Sequence, residues 1–323
     1  MKSKNHLYAP ILFGVVLILA GLAPQILSLV ERFSDQAFLA GIIVQLLVYL
    51  LPLAFYAQVR SVNLVTTVKM RYVAPARIPF LAVITLLFLV GTMIFRYFGL
   101  FVFPSAFVET PSALPLPGGG ANPVLTFLCS VLLPALLEEV LFRGILLEEY
   151  RPWGAAWAVG VSSLMFAMLH LSAENFLFYL FMGVIFGIIT VASDSVLPAI
   201  VLHVFVNYSY ANIRPSVVEY LRQAGKSPLL PYLLLAVFLL LVVMLFGRLE
   251  NLYRNKAYDE LLKSRKELLR QEVEKVRGLQ EEKEEENEKV PHPVLLSLKE
   301  IALSPAFLAS VVIYICLLLG IFS

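Results

Sequence analysis

Charge is scarce in this chain. Only 15% of its 323 residues are Asp, Glu, Lys or Arg, against about 25% in an ordinary soluble domain. With 59% hydrophobic residues, a soluble globular fold is set aside. The net charge of +2 supplies no basic excess, so no nucleic-acid partner is expected. Cysteine is nearly absent. Cys129 and Cys316 both lie in apolar runs and read as small hydrophobes, not as a disulfide or metal pair. No His-Glu-x-x-His helix occurs, which removes a zincin-type site. No internal repeat of the kind that marks inverted-repeat transporters is seen. Histidine is limited to four residues.

What remains is a series of apolar runs. A span needs about 17–25 apolar residues. Candidates run over Tyr8–Val30, Ala37–Ala57, Pro79–Phe101, Val124–Leu147, Trp153–His170, Phe176–Ala192, Val196–Ala211, Leu230–Phe246 and Pro305–Phe322. The pattern predicts an all-α, polytopic transmembrane helical bundle of about eight or nine spans. The first run follows Lys2 and Lys4 and lacks a small-residue cleavage site, so it reads as a retained span. The 58–78 loop carries Arg60, Lys69, Arg71 and Arg77 and no acid. By the positive-inside rule it is cytoplasmic, as is the N-terminus. A multi-pass protein of the plasma membrane is expected.

Composition divides the chain further. Residues 1–123 hold the N-terminal spans and a Pro/Gly-rich loop, read as a linker in preference to a lid. Residues 124–211 form the candidate catalytic core and 212–247 an additional span. Residues 248–293 are dense in Glu, Lys and Arg, and 294–323 hold a C-terminal span. Leu262, Leu269 and Val276 recur at seven, which predicts a long charged cytoplasmic helix before the last span, with a weak coiled-coil seam. A partner for residues 248–289 is a secondary reading beside a solvated connector.

Three charged side chains stand out inside the fourth run: Glu138, Glu139 and Arg143. A charge at the bilayer centre costs at least about 2.5–3.5 kcal/mol and marks a functional site by default. Glu139 and Arg143 are four apart and share a helix face, so they read as a structural ion pair. Glu138 is turned from that face and needs a partner from elsewhere. His170 closes Phe166-Ala-Met-Leu-His170, and His203 opens His203-Val-Phe-Val-Asn207. The simplest arrangement gathers Glu138, His170 and His203 around one polar cavity, with Asn207 on the face of His203. These groups suffice to deprotonate water and protonate a leaving amine. They are equally an acceptable ligand set for a divalent metal such as zinc. Counted from the predicted span starts, the three lie at unequal depths, so the helices must tilt or begin at different heights. Gln25 and Gln45 read as structural.

In order, Glu-Glu-x-x-x-Arg, Phe-x-x-x-His and His-x-x-x-Asn on successive apolar helices resemble the CPBP family of intramembrane proteases. That family includes the Rce1-type CAAX prenyl proteases and bacteriocin-processing or self-immunity proteins. The resemblance implies peptide-bond hydrolysis within the bilayer, on a membrane-associated protein or peptide that is prenylated only in some members. It implies Glu138 as the base that activates water, together with His170. Glu139 and Arg143 would shape the site beside Phe166. His203 and Asn207 would stabilise the oxyanion or contribute to a metal site. Both a metal-dependent and a metal-free glutamate mechanism are compatible with it. Two alternatives stand beside this reading: an ion- or proton-coupled transporter, and a non-catalytic immunity or scaffold protein.

Overall fold

A computed structural model of the chain describes residues 8–33, 37–102, 122–212, 219–220, 223, 229–276 and 304–320. Among the described residues the fold is all-helical, with no strand. We number the principal helices α1 (Tyr8–Gly21), α2 (Ala23–Glu31), α3 (Phe38–Arg60), α4 (Ile78–Val102), α5 (Pro123–Trp153), α6 (Ala155–Leu169), α7 (Phe176–Ser193), α8 (Leu197–Asn212), α9 (Leu229–Val276) and α10 (Pro305–Leu318).

Five of these segments are long and apolar enough to cross a membrane, or six if α1 and α2, bent by 54°, form one span. The sequence expectation of eight or nine is not reached by this criterion, because α6, α8 and α10 are shorter apolar helices. The 15 residues of α6 rise only ~22 Å, less than the ~30 Å hydrocarbon core. Leu51, Phe55, Leu239, Val243 and Phe246 leave large apolar side chains exposed, as suits helices whose solvent is lipid. The chain is a multi-pass membrane protein. α9 joins the apolar run at Leu229 and the charged segment to Val276 in one 48-residue helix. The rest of the expected charged helix, and the Pro/Gly-rich loop over 103–121, lie outside the described residues.

Prolines shape the helices that carry the site. Proline lacks an N–H and crowds the carbonyl one turn back. In both α3 and α5 a widened π turn stands just before such a proline. Leu46–Leu50 precedes Pro52, and Leu128–Leu132 precedes Pro134. A third π stretch covers Val140–Leu146. Carbonyls in these stretches find side-chain donors. Gln45 Nε2 donates to the Cys129 carbonyl (2.8 Å), Asn207 Nδ2 to Val131 (3.3 Å) and Ser162 Oγ to Phe142 (2.8 Å).

Close helix contacts complete the frame. α6 and α7 form an antiparallel pair, and a Cβ on Gly183 would stand 2.9 Å from the Ser163 Cα. Only glycine permits that approach. α1 meets α10 through Ser310, whose hydroxyl bonds the Pro10 carbonyl at 3.3 Å. α4 meets α7 through stacked Phe88 and Phe181.

One end of the bundle is tied by ions. Three of the four basic residues of the 58–78 loop, read from sequence as topology signals, are paired with acids of α5 and the α7–α8 turn, and the fourth, Arg77, donates to the Ser193 carbonyl. Lys69 meets Glu148 (2.8 Å) and Asp194 (3.5 Å), Arg71 meets Asp194 (2.8 Å), and Arg60 meets Glu149 (3.2 Å). Arg151 bridges Glu148 and Asp194. Backbone contacts reinforce the clip, with Val196 N–H donating to the Lys69 carbonyl at 2.9 Å. Asp194 has a left-handed φ of 50°, which asparagine also tolerates. Asp194→Asn therefore removes charge without changing the turn. We expect it to lower unfolding free energy in detergent by about 1–2 kcal/mol, since three partly exposed pairs weaken together. Thermal melts with and without 1 M salt check this, and the loss should shrink in salt.

Candidate active site

Antiparallel packing resolves the problem of depth. Glu138 lies fifteen residues before Trp153 at the end of α5, and His170 fifteen after Ala155 at the start of α6. Measured from their shared turn, the two are level. His170 caps the C-terminus of α6, and His203 enters from α8.

The three side chains expected to converge do so. Glu138 Oε2 stands 3.9 Å from His170 Nε2 and 3.9 Å from His203 Nε2. Glu138 and His203 are buried, and the His170 side chain is only 5% exposed. The outer face of each imidazole is committed. His170 Nδ1 bonds the Phe166 carbonyl at 2.8 Å, and His203 Nδ1 bonds Glu139 Oε1 at 2.9 Å. A carbonyl and an ion-paired carboxylate only accept, so each Nδ1 carries the hydrogen. In the neutral form, each imidazole then turns an Nε2 lone pair to Glu138. A separation of 3.9 Å is too long for a hydrogen bond and suits groups that share one water or substrate oxygen. Among the described residues, Glu138 Oε2 has no hydrogen-bond partner, while Oε1 accepts from the Tyr49 hydroxyl at 3.1 Å.

Arg143 is the hub behind this face. It is fully buried, donates to Glu139 Oε1 at 3.1 Å, and donates to the Gly183 carbonyl at 3.0 Å. Its guanidinium lies over Phe166 at 4.5 Å and Phe186 at 5.3 Å, contacts that favour a desolvated cation. The sequence suggests a self-contained pair with Glu139. The structure instead shows a chain of contacts from Gly183 through Arg143 and Glu139 to His203. Phe166 stands between the parts, with its centroid 4.7 Å from His170 and 5.8 Å from His203.

Asn207 has a further partner that its spacing from His203 does not show. It shares α8 with His203, but its amide goes to the Val131 carbonyl and not to the imidazole. The π turn of α5 presents that carbonyl to it.

Several site residues escaped the sequence reading. Tyr49 comes from α3. Tyr179 stacks on His170 at 3.7 Å and 21°, and Gly183 supplies the carbonyl on Arg143. Pro52 inside an apolar run was the signal for a distorted α3, and Gly183 inside α7 was the signal for close backbone approach.

The same atoms bear on a metal site. Two imidazoles and a carboxylate are suitable donor types, yet two donors on one tetrahedral zinc stand only ~3.3 Å apart at bond lengths near 2.0–2.1 Å. Among the described residues no group of three or more His, Cys, Asp or Glu side chains is disposed to hold a metal ion. The arrangement does not fit a closed metal site.

Residues 120–209 match the family model described as type II CAAX prenyl endopeptidase, Rce1-like. The match covers less than a third of the chain, and it contains all three motifs. Over that segment the resemblance to the CPBP/CAAX proteases is borne out. No curated protein and no solved structure matches the chain.

Breaking a buried ion pair by removing one partner costs about 3–5 kcal/mol, whereas replacing both partners with apolar residues is often neutral. Arg143→Met should therefore unfold at markedly lower denaturant. The double variant Glu139→Met/Arg143→Met should recover much of that stability, short of the loss from the orphaned His203 Nδ1. Unfolding titrations of both variants in micelles check the ordering.

Proposed function

We propose that this chain is an intramembrane endopeptidase that hydrolyses a peptide bond in a membrane-associated protein or peptide by means of a water activated by Glu138. The observation that carries this reading is Glu138 Oε2, buried, without a hydrogen-bond partner among the described residues, and facing two imidazole Nε2 atoms at 3.9 Å. The family match over residues 120–209 supports the reaction class and a CAAX-type C-terminal substrate. The catalytic side chains lie in the 124–211 core, in a plasma-membrane protein with a cytoplasmic N-terminus.

A water between the three acceptors donates one hydrogen to Glu138 Oε2 and the other to an imidazole Nε2. That holds its lone pair toward the scissile carbonyl. Glu138 takes the proton as oxygen attacks carbon, giving a tetrahedral intermediate and a neutral carboxylic acid. The same acid returns the proton to the departing amine as the C–N bond breaks, which restores the carboxylate. Glu139 holds the tautomer and orientation of His203, as a carboxylate does beside a catalytic histidine. The Phe166 carbonyl does the same for His170. Asn207, one turn along α8 from His203 and held by its bond to the Val131 carbonyl, would stabilise the developing oxyanion together with His203.

The test uses purified full-length protein in nanodiscs with a farnesylated CAAX peptide and its unprenylated counterpart. Glu138→Gln should lose cleavage, and His170→Ala should lower kcat about 10²–10⁴-fold, the usual contribution of acid–base groups. Unchanged thermal melts would show that the fold survives. Normal cleavage by Glu138→Gln contradicts a protease centred on that carboxylate. Proton flux into liposomes that Glu138→Gln abolishes, in a protein that does not cleave, would point to a transporter instead.

A further inference from the structure

α3 lies outside residues 120–209, yet it reaches the centre of the site. Tyr49 is fully buried, and its hydroxyl donates to Glu138 Oε1 at 3.1 Å. Four residues earlier, Gln45 donates to the Cys129 carbonyl at 2.8 Å. Tyr49 and Gln45 are i,i+4 neighbours on one face, so two successive turns of α3 dock against α5. The π turn Leu46–Leu50 before Pro52 widens the helix at the point where Tyr49 projects.

We propose that Tyr49 is a positioning residue of the active centre, fixing the rotation of the Glu138 carboxylate so that Oε2 alone faces the two imidazoles. This inference rests on the protease reading for its kinetic consequence, although the contact itself does not. A carboxylate turns freely about its last torsion unless one oxygen is held. With Oε1 engaged by Tyr49, turning the group would surrender a charge-assisted hydrogen bond. Oε2 is therefore the oxygen presented to the site. A tyrosine that only filled space would need no hydroxyl at this position, and one that only satisfied its hydroxyl could use a backbone carbonyl. It follows that the matched segment is not a complete catalytic unit, because the orientation of its base comes from a helix some ninety residues earlier.

Tyr49→Phe keeps the ring and removes the hydrogen bond. On cleavage of the farnesylated peptide, kcat should fall about ten- to a hundredfold, the loss typical of one hydrogen bond to a charged group, while KM stays within about twofold. A packing defect would not divide the two constants in this way. The second readout needs no activity. The Glu138 carboxylate stretch, identified by infrared difference against Glu138→Gln, should shift in Tyr49→Phe. If Tyr49→Phe folds poorly, difluorotyrosine at position 49, a stronger donor of the same shape, should shift that band in the opposite sense. Wild-type kcat with an unmoved band, while Glu138→Gln is inactive, overturns the role of Tyr49 and leaves the protease intact. A moved band in a protein whose Glu138→Gln variant still cleaves supports the contact and overturns the protease reading.

Discussion

A guanidinium with no exposure to solvent or lipid must be surrounded before the helices around it can pack. Arg143 meets that requirement with one carboxylate, one backbone carbonyl and the faces of Phe166 and Phe186. Each contact also sets something else. The Gly183 carbonyl is within reach only because glycine lets α7 approach α6. Phe166, held under the cation, presents its own carbonyl to His170. Glu139 Oε1, fixed by Arg143, also accepts from His203. The cation touches neither Glu138 nor the histidines, yet it orders the groups that orient both imidazoles.

Helix distortion supplies the other half of the geometry. Straight α3 and α5 would run past one another with their backbone bonds satisfied internally. Pro52 and Pro134 deny them that regularity, and the resulting π turns free carbonyls and turn side chains toward the neighbouring helix. Gln45 and Asn207 satisfy carbonyls of the turn before Pro134, and Ser162 satisfies one in the third π stretch. The polar residues of this membrane bundle thus fall into two groups. Around the site some repair the backbone, and a few are left facing one another. Glu138 Oε2 belongs to the second group.

How much of this was legible in sequence follows from the range of the interactions. The pairing of Glu139 with Arg143 is local and could be read from a spacing of four. The convergence of Glu138, His170 and His203 could be inferred from their rarity in apolar runs, because a lipid-facing position would penalise each of them. Their common depth could not, since it depends on α5 and α6 running antiparallel from a turn at Arg151–Trp153. Asn207 shows the limit of periodicity: a shared face with His203 licenses a contact, but says nothing of the bond that its amide makes to the Val131 carbonyl of α5. The span count of eight or nine is not confirmed for a related reason. An apolar run such as 153–170 shows hydrophobicity but not where a helix stops, and α6 ends at His170 as a short element. Tyr49 carried no local signal beyond a nearby proline.

The relation of one carboxylate to two imidazoles is open to direct measurement. With 13C-labelled glutamate and 15N-labelled histidine in lipid bilayers, dipolar-recoupling NMR reports distances from the Glu138 side-chain carboxyl carbon to the imidazole nitrogens, with Glu138→Gln, His170→Ala and His203→Ala giving the assignments. The structure predicts two short contacts from Glu138, one to each Nε2, both lost in Glu138→Gln. A single contact, or none, would contradict a site in which Glu138 is poised between His170 and His203.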